Sequence, residues 1–244
     1  MKRNFHVPLY PDLLQNKTQE TFKISKVSIV LLQVINKKVL ETPKRILEKA
    51  SELFMRYGIR SISMDDIAKD LAISKKTIYQ YFKDKDTLVC AVADAHFEQD
   101  KCDFKSIQDN ATDALEEMIT MSQHIKATFV NINPVAFLDL QKYHPRSWRI
   151  FEKYKKEFII KSLEDNLRRG IKDGLYRDDI NVEALAILRV TEVELAFDPD
   201  LFPAQRFNFR DLQVQFIEHF MRGIVTPKGF QILEDYKNKQ EALQ

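Results

Sequence analysis

The sequence predicts an all-α chain, and three observations lead there. Glycine is scarce, five in 244 residues. Apolar residues recur at spacings of three and four over long stretches rather than in alternation. The prolines (Pro8, Pro11, Pro43, Pro134, Pro145, Pro199, Pro203 and Pro227) fall where other signals start or stop an element. The length exceeds one typical domain and is short for three, so a small helical module followed by a larger one is the natural organisation.

Residues 1–40 form an N-terminal extension unlike the rest. Pro8 and Pro11 are followed by a polar stretch from Lys17 to Glu20, then by β-branched residues from Ile24 to Ile35 without a clean helical stripe. Three readings stay open for it: a basic arm that touches nucleic acid, a loosely ordered extension, or a start of translation further downstream, near Val39.

Residues 41–88 are regular. Thr42 is the expected N-cap and Pro43 the first residue of a helix whose apolar stripe is Ile46, Leu47, Ala50, Leu53, Phe54 and Tyr57, and Gly58 ends it. Ser63 caps a short second helix, Asp66 completes a capping-box pattern, and Met64, Ile67, Ala68 and Leu71 face inward. The tight link Leu71-Ala72-Ile73 leads to the next cap, Ser74. The third helix is Lys75 to Phe82. Ile78 and Phe82, four apart, anchor its inner face, while Lys75, Lys76, Tyr79 and Gln80 share the outer one. Asp84 caps a fourth helix that continues through Leu88, Val89 and Val92 and joins the modules without a flexible linker.

Residues 89–244 carry further amphipathic stretches at about 109–131, 134–142, 145–170, 181–196 and 209–223, and a short tail at about 228–238. There is no internal repeat.

Composition narrows the function. The 38 Lys and Arg against 36 Asp and Glu leave a formal charge of +2, so the chain is not coated in basic residues, and any nucleic-acid contact must come from local clustering. Cys90 and Cys102 have the spacing of neither a zinc motif nor a redox pair. The longest apolar run, Val27 to Ile35, is too short to span a bilayer and has no small-residue cleavage site after it. A soluble, cytoplasmic protein without a membrane partner is expected. No Gly-rich phosphate loop or nucleophile elbow is present, so neither an enzymatic role nor a cofactor is expected. Asp65 and Asp66 are acids of a helix start. His124 and His219 have no partner at metal-ligand spacing, so no metal site is expected.

Two short helices joined by a tight turn, the second held by two apolar anchors, describe a helix-turn-helix whose second member can lie in the major groove of DNA. Lys75 and Lys76 can reach guanine acceptors or phosphates, Gln80 can pair with adenine, and Tyr79 can pack on a sugar, phosphate or thymine methyl. Thr77 would offer a hydroxyl and a backbone donor to phosphate.

The segments Ile46 to Phe54, Tyr57-Gly58, Met64 to Ala68 and Ile73 to Leu88 together resemble the N-terminal domain of TetR-type bacterial transcriptional regulators. The resemblance implies that Ser74, Lys75, Lys76 and Tyr79 face bases or the groove wall. It implies that Thr77, Tyr81 and Lys85 hold phosphates, and that Thr42 and Ser63, at helix starts, touch the backbone. It also implies a three-helix DNA-binding domain followed by a helical ligand-binding and dimerisation domain. One position departs from the family: Ala72 stands where glycine is usual. If the turn there is left-handed, alanine costs about 1 kcal/mol.

In the larger module, aromatic and flexible apolar side chains concentrate around the middle. Met118, Met121, Phe137, Tyr143, His144, Trp148 and Phe151 are the candidate lining of a pocket for a small, largely apolar effector, with the rim near Pro145; ordinary core packing is the competing reading. The helices at about 181–196 and 209–223 carry wide apolar stripes, Ala184 to Val193 and Leu212 to Met221. The resemblance implies that they pair across a two-fold axis into a homodimer, presenting two reading heads to a pseudo-palindromic operator. The expected activity is a repressor released by its effector; the alternative is a DNA-bound factor that recruits another protein and has no small ligand.

Overall fold

The computed structural model describes the backbone of residues 26–129 and 133–241 and the side chains of 42–128 and 133–236. Among the described residues eleven α-helices follow one another: α1 (Lys26–Tyr57), α2 (Met64–Asp70), α3 (Lys75–Tyr81), α4 (Lys85–Asn110), α5 (Ala114–Phe129), α6 (Pro134–Tyr143), α7 (Pro145–Tyr154), α8 (Ile160–Lys172), α9 (Val182–Leu195), α10 (Phe209–Ile224) and α11 (Pro227–Glu241). A π-helical turn, Lys155–Ile159, joins α7 to α8. Among the described residues there is no strand, only one isolated antiparallel bridge between Tyr176 and Val225.

The start of α1 corrects the expectation for Thr42 and Pro43. Residues 41–43 are already helical, and Pro43 lies inside a helix that begins at Lys26. An N-cap needs non-helical backbone, so Thr42 does not cap this helix. A proline in a helix interior removes one backbone donor and crowds the carbonyl four residues back, at a cost of about 3 kcal/mol. The preceding turns contain Leu31, Leu32, Gln33, Lys37, Lys38 and Leu40, all good helix formers, so the local bias of residues 26–40 is helical despite their β-branched residues. The chain divides into two compact units at this point, Met1–Thr42 and Pro43–Gln244. Of the N-terminal extension, residues 1–40, the first 25 lie outside the described residues.

The other boundaries follow their caps. Gly58 closes α1 at φ +86°, in the left-handed region that glycine enters without a Cβ penalty, and a Cβ there would also sit 3.2 Å from Asp139 Oδ2. The side chains of Ser63, Ser74 and Asp84 accept backbone donors at the starts of α2, α3 and α4. Asn133, Asn181 and Asn208 do the same for α6, α9 and α10. Tyr57, expected in the inner stripe of α1, is instead 46% exposed.

Within Pro43–Gln244 the apolar side chains form two clusters. The first joins Ile46, Phe54, Ile67, Ile78, Leu88 and Val92 to Leu140, Phe151 and Tyr154, so it continues across residue 88, with α7 packed on α4 and α6 on α7. The second gathers Leu115, Met118, Leu167, Tyr176, Val190, Phe220 and Leu233 from α5 and from α8 to α11. At its centre the Tyr176 hydroxyl donates to the Ala114 carbonyl at 2.9 Å and meets Asn166 Oδ1 at 3.2 Å. Buried Glu117 is held by Arg169 beside them. The Tyr176 ring lies directly over Gly170, where a Cβ would come within 2.1 Å of it.

Candidate functional site

Helices α2 and α3 and the turn between them are specified locally. Ser63 Oγ accepts the Asp66 N–H at 3.2 Å while the Asp66 carboxylate accepts the Ser63 N–H at 2.9 Å and its hydroxyl at 2.6 Å, a complete reciprocal cap. These donors hold the Asp66 carboxyl below its ordinary value. After the C-cap Leu71, Ala72 adopts φ +53°; its N–H donates to Lys69 O at 3.0 Å, and the Ile73 N–H donates to Ala68 O at 3.0 Å. That pair of bonds is a Schellman motif with alanine at the left-handed position. Two residues later Ser74 Oγ accepts the Thr77 N–H at 3.1 Å and opens α3.

Ile78 and Phe82 seat α3 in the first cluster, 0% and 7% exposed, as the four-residue spacing predicts. Lys75, Lys76, Tyr79 and Gln80 are all exposed, Tyr79 at 43%. Lys75 differs from a free cation: its Nζ lies 2.8 Å from Asp65 Oδ1, and this partner raises its pKa. Reading a guanine with Lys75 therefore requires exchange of an exposed, screened ion pair, which is weak. The backbone donor of Thr77 is taken by the cap, and its hydroxyl lies 2.8 Å from Ser74 Oγ, so the expected free amide for a phosphate is not there. The reason is that the N-cap side chain satisfies the amide three residues on.

Lys85 and Tyr81 are half-buried. Lys85 Nζ donates to the Arg60 carbonyl at 3.5 Å and lies 5.9 Å from the Phe54 ring centroid; burial pulls its pKa down. Ser63 is exposed at the start of α2, whereas Thr42 is half-buried within α1.

A cavity of about 230 Å³ lies behind the reading head. It is walled by Phe54, Met55 and Ile59 at the end of α1, by Val89, Val92 and Phe97 of α4, and by side chains of α5 to α10. Its volume is roughly an order of magnitude more than one water needs. Met118, Met121, Phe137 and Phe151, four of the seven expected lining residues, face it. Tyr143, His144 and Trp148 do not. Tyr143 is 43% exposed, its hydroxyl accepting from Arg60 Nη1 at 3.2 Å; His144 Nδ1 faces Asp86 Oδ1 at 3.1 Å; Trp148 packs edge-on behind Phe137. The rim expected near Pro145 is displaced because α7 directs Phe151 and Tyr154 inward, while the α6–α7 junction is bonded to Arg60 of the α1–α2 loop and to Asp86 at the start of α4.

Two features escaped sequence reasoning. Asp139, buried on α6, accepts the Arg60 backbone N–H at 2.8 Å, so the α1–α2 loop is held from a residue 79 positions away. At one end of the cavity, His96, Asp100 and His124 add polar groups to an apolar wall. The spacing of His96, Asp100 and Asp103 along one face of α4 was visible in the sequence, but its meeting with His124 of α5 was not.

A capped pair of short helices, a left-handed turn and an exposed polar outer face on a buried anchor define a helix-turn-helix DNA-binding regulator. A family model, "Bacterial regulatory proteins, tetR family", matches residues 46–92, which span this unit. The transcriptional regulator YvaF of Bacillus subtilis (strain 168) is 25% identical over 186 residues, 75% of this chain and 95% of that protein. The crystal structure of a TetR-family transcriptional regulator from Agrobacterium tumefaciens superposes with a TM-score of 0.66 at 17% identity, over 77% of this chain and 99% of that one. The regulator FadR of Bacillus subtilis, in complex with stearoyl-CoA, has a TM-score of 0.59 at 20% identity, over 74% and 98%. Residues 46–92 therefore carry a TetR-type helix-turn-helix DNA-binding domain, and the rest of the described chain is helical, as in the transcriptional regulators it resembles. No helix among the described residues is long and apolar enough to cross a membrane.

Proposed function

We propose that this regulator is a homodimeric repressor that leaves its operator when a small, largely apolar molecule fills the cavity. The observation that carries the reading is the cavity wall: Phe54, Ile59, Val89 and Val92 also belong to the core on which α2 and α3 are seated. An occupant touching them interacts differently with two positions of the reading head, which is what a population shift requires. A coupling of about 1–3 kcal/mol corresponds to roughly 5- to 150-fold release. The likeness to FadR, described with stearoyl-CoA, supports an apolar chain as the kind of occupant this fold accommodates.

Pairing of two copies is supported by α9. Ala184, Ile187, Leu188, Thr191 and Leu195 are all exposed and fall on one helical face; Ile187 and Leu188 are each 46% exposed. A two-fold axis along that face would place two α3 helices over a pseudo-palindromic site.

The test is a salt-dependent titration of the protein against DNA flanking its own gene and against an unrelated duplex of equal length. Preference for the flanking DNA with two chains per site, relieved by a medium-chain fatty acyl ligand, supports the proposal. Tyr79→Ala should weaken the specific site, and Lys85→Ala should weaken both duplexes and flatten the salt slope by about 0.9. Unchanged binding in both variants, with folding intact, would refute the DNA assignment. Specific binding indifferent to every apolar ligand would favour the protein-recruiting alternative.

A further inference from the structure

Beside the cavity, to whose wall His96, Asp100 and His124 contribute, lies a concentration of metal-ligand atoms that the apolar-effector reading does not use. Asp100 and Asp103 of α4 and His124 of α5 bring one ligand atom each within 4.8 Å of one another, and all three residues are partly buried. His124 Nε2 lies 3.9 Å from Asp103 Oδ2. Around a first-row divalent ion with bonds of about 2.0–2.2 Å, tetrahedral ligand atoms sit roughly 3.3–3.6 Å apart, so small side-chain rotations close the set.

The surroundings orient these groups. Gln99 Nε2 donates to Asp103 Oδ1 at 2.9 Å, leaving Oδ2 turned to His124. Phe104 meets the His124 ring edge-on at a centroid distance of 5.6 Å. His96 Nε2 stands 3.7 Å from Asp100 Oδ2, where it can support that carboxylate from behind or join it as a fourth ligand. Among the described residues neither Asp100 nor Asp103 has a lysine or arginine within 4.0 Å; their ion-pair partners are the two histidines. Two carboxylates gathered beside two imidazoles make a mixed oxygen and nitrogen donor set of the kind that divalent cations occupy. A set mixing imidazole with carboxylates suits zinc, manganese, iron or cobalt better than the all-oxygen preference of magnesium or calcium.

We propose that Asp100, Asp103 and His124, backed by His96, form a binding site for a first-row divalent transition metal that ties α4 to α5 beside the cavity. Because α4 follows α3 after only Phe82, Lys83 and Asp84, an ion fastening α4 bears on the placement of α3. The site itself does not depend on the apolar-effector proposal.

The test uses untagged full-length protein, freed of metal with chelator and titrated with Co²⁺, whose visible absorption reports coordination directly. One Co²⁺ per chain is expected, with affinity falling about 100-fold or more in His124→Ala and in Asp103→Asn and unchanged in His219→Ala. Thermal melts of the metal-free variants check folding. Absence of binding, binding that neither variant weakens, or displacement of Co²⁺ by a tenfold excess of Mg²⁺ would overturn the assignment. His124 also separates a metal from an organic ammonium ion, because only the metal needs the imidazole lone pair. Operator affinity and fatty-acyl response, measured on the same preparations, report on the repressor proposal separately.

Discussion

Replacing Ala72 by glycine should stabilise this protein, although glycine is ordinarily the less stable choice. Ala72 sits at φ +53° between α2 and α3, where an L side chain costs about 1–2 kcal/mol through the approach of Cβ to the backbone. Glycine removes that cost but adds freedom to the unfolded chain, worth about 0.4–1 kcal/mol in the opposite direction. The Ala72 methyl is exposed, so its loss forfeits no packing. Both Schellman bonds are backbone bonds from residues 72 and 73 and survive the change. The balance is about 0–1.6 kcal/mol in favour of glycine, with a middle value of about 0.8 that raises Tm by roughly 2–3 °C for a chain of this size. Thermal unfolding followed by far-ultraviolet circular dichroism, with urea midpoints as a second measure, gives the comparison. Ala72→Asn should fall near wild type, because asparagine tolerates the left-handed region, and Ala72→Val should fall clearly below it. A lower Tm for Ala72→Gly, or no penalty for Ala72→Val, would refute the strained-turn reasoning.

Three further outcomes are expected. Gly170→Ala places a Cβ within 2.1 Å of the Tyr176 ring and should cost about 1–3 kcal/mol or more in a urea titration; combining it with Tyr176→Leu should return part of that loss. Leu188→Glu puts a charge into the exposed face of α9, so analytical ultracentrifugation should show a dimer dissociation constant raised at least about 100-fold with the monomer's helicity intact. Asp66 and Asp84 have pKa values held down by the donors of Ser63 and Thr87. Depressed carboxylates contribute stability that is present above their unfolded value and is lost as pH falls through the folded one, so Tm should drop below about pH 4. Asp66→Asn should make that drop shallower; an identical acid profile would show that this cap does not contribute.

What the sequence determined by itself is the part whose causes lie within a few residues. Ser63 with Asp66, Ser74, Asp84 and Gly58 punctuate the short helices through bonds that span three or four positions. The spacing of Ile78 and Phe82 settles which face of α3 is buried, and so which side chains are left exposed. Even the strain at Ala72 was legible as a departure from glycine.

Tertiary structure decided everything that depends on distant segments meeting. Lys75 looked free until Asp65 of α2 came beside it. Tyr143, His144 and Trp148 share a helix junction with the cavity-lining residues, yet α7 turns Phe151 to the cavity while Arg60 and Asp86 claim the first two. His124 had no partner at ligand spacing along its own helix, and α5 carries it to Asp100 and Asp103. Periodicity fixes which way a residue faces on its helix; what it faces is set by the packing of another helix, whose position no local spacing encodes.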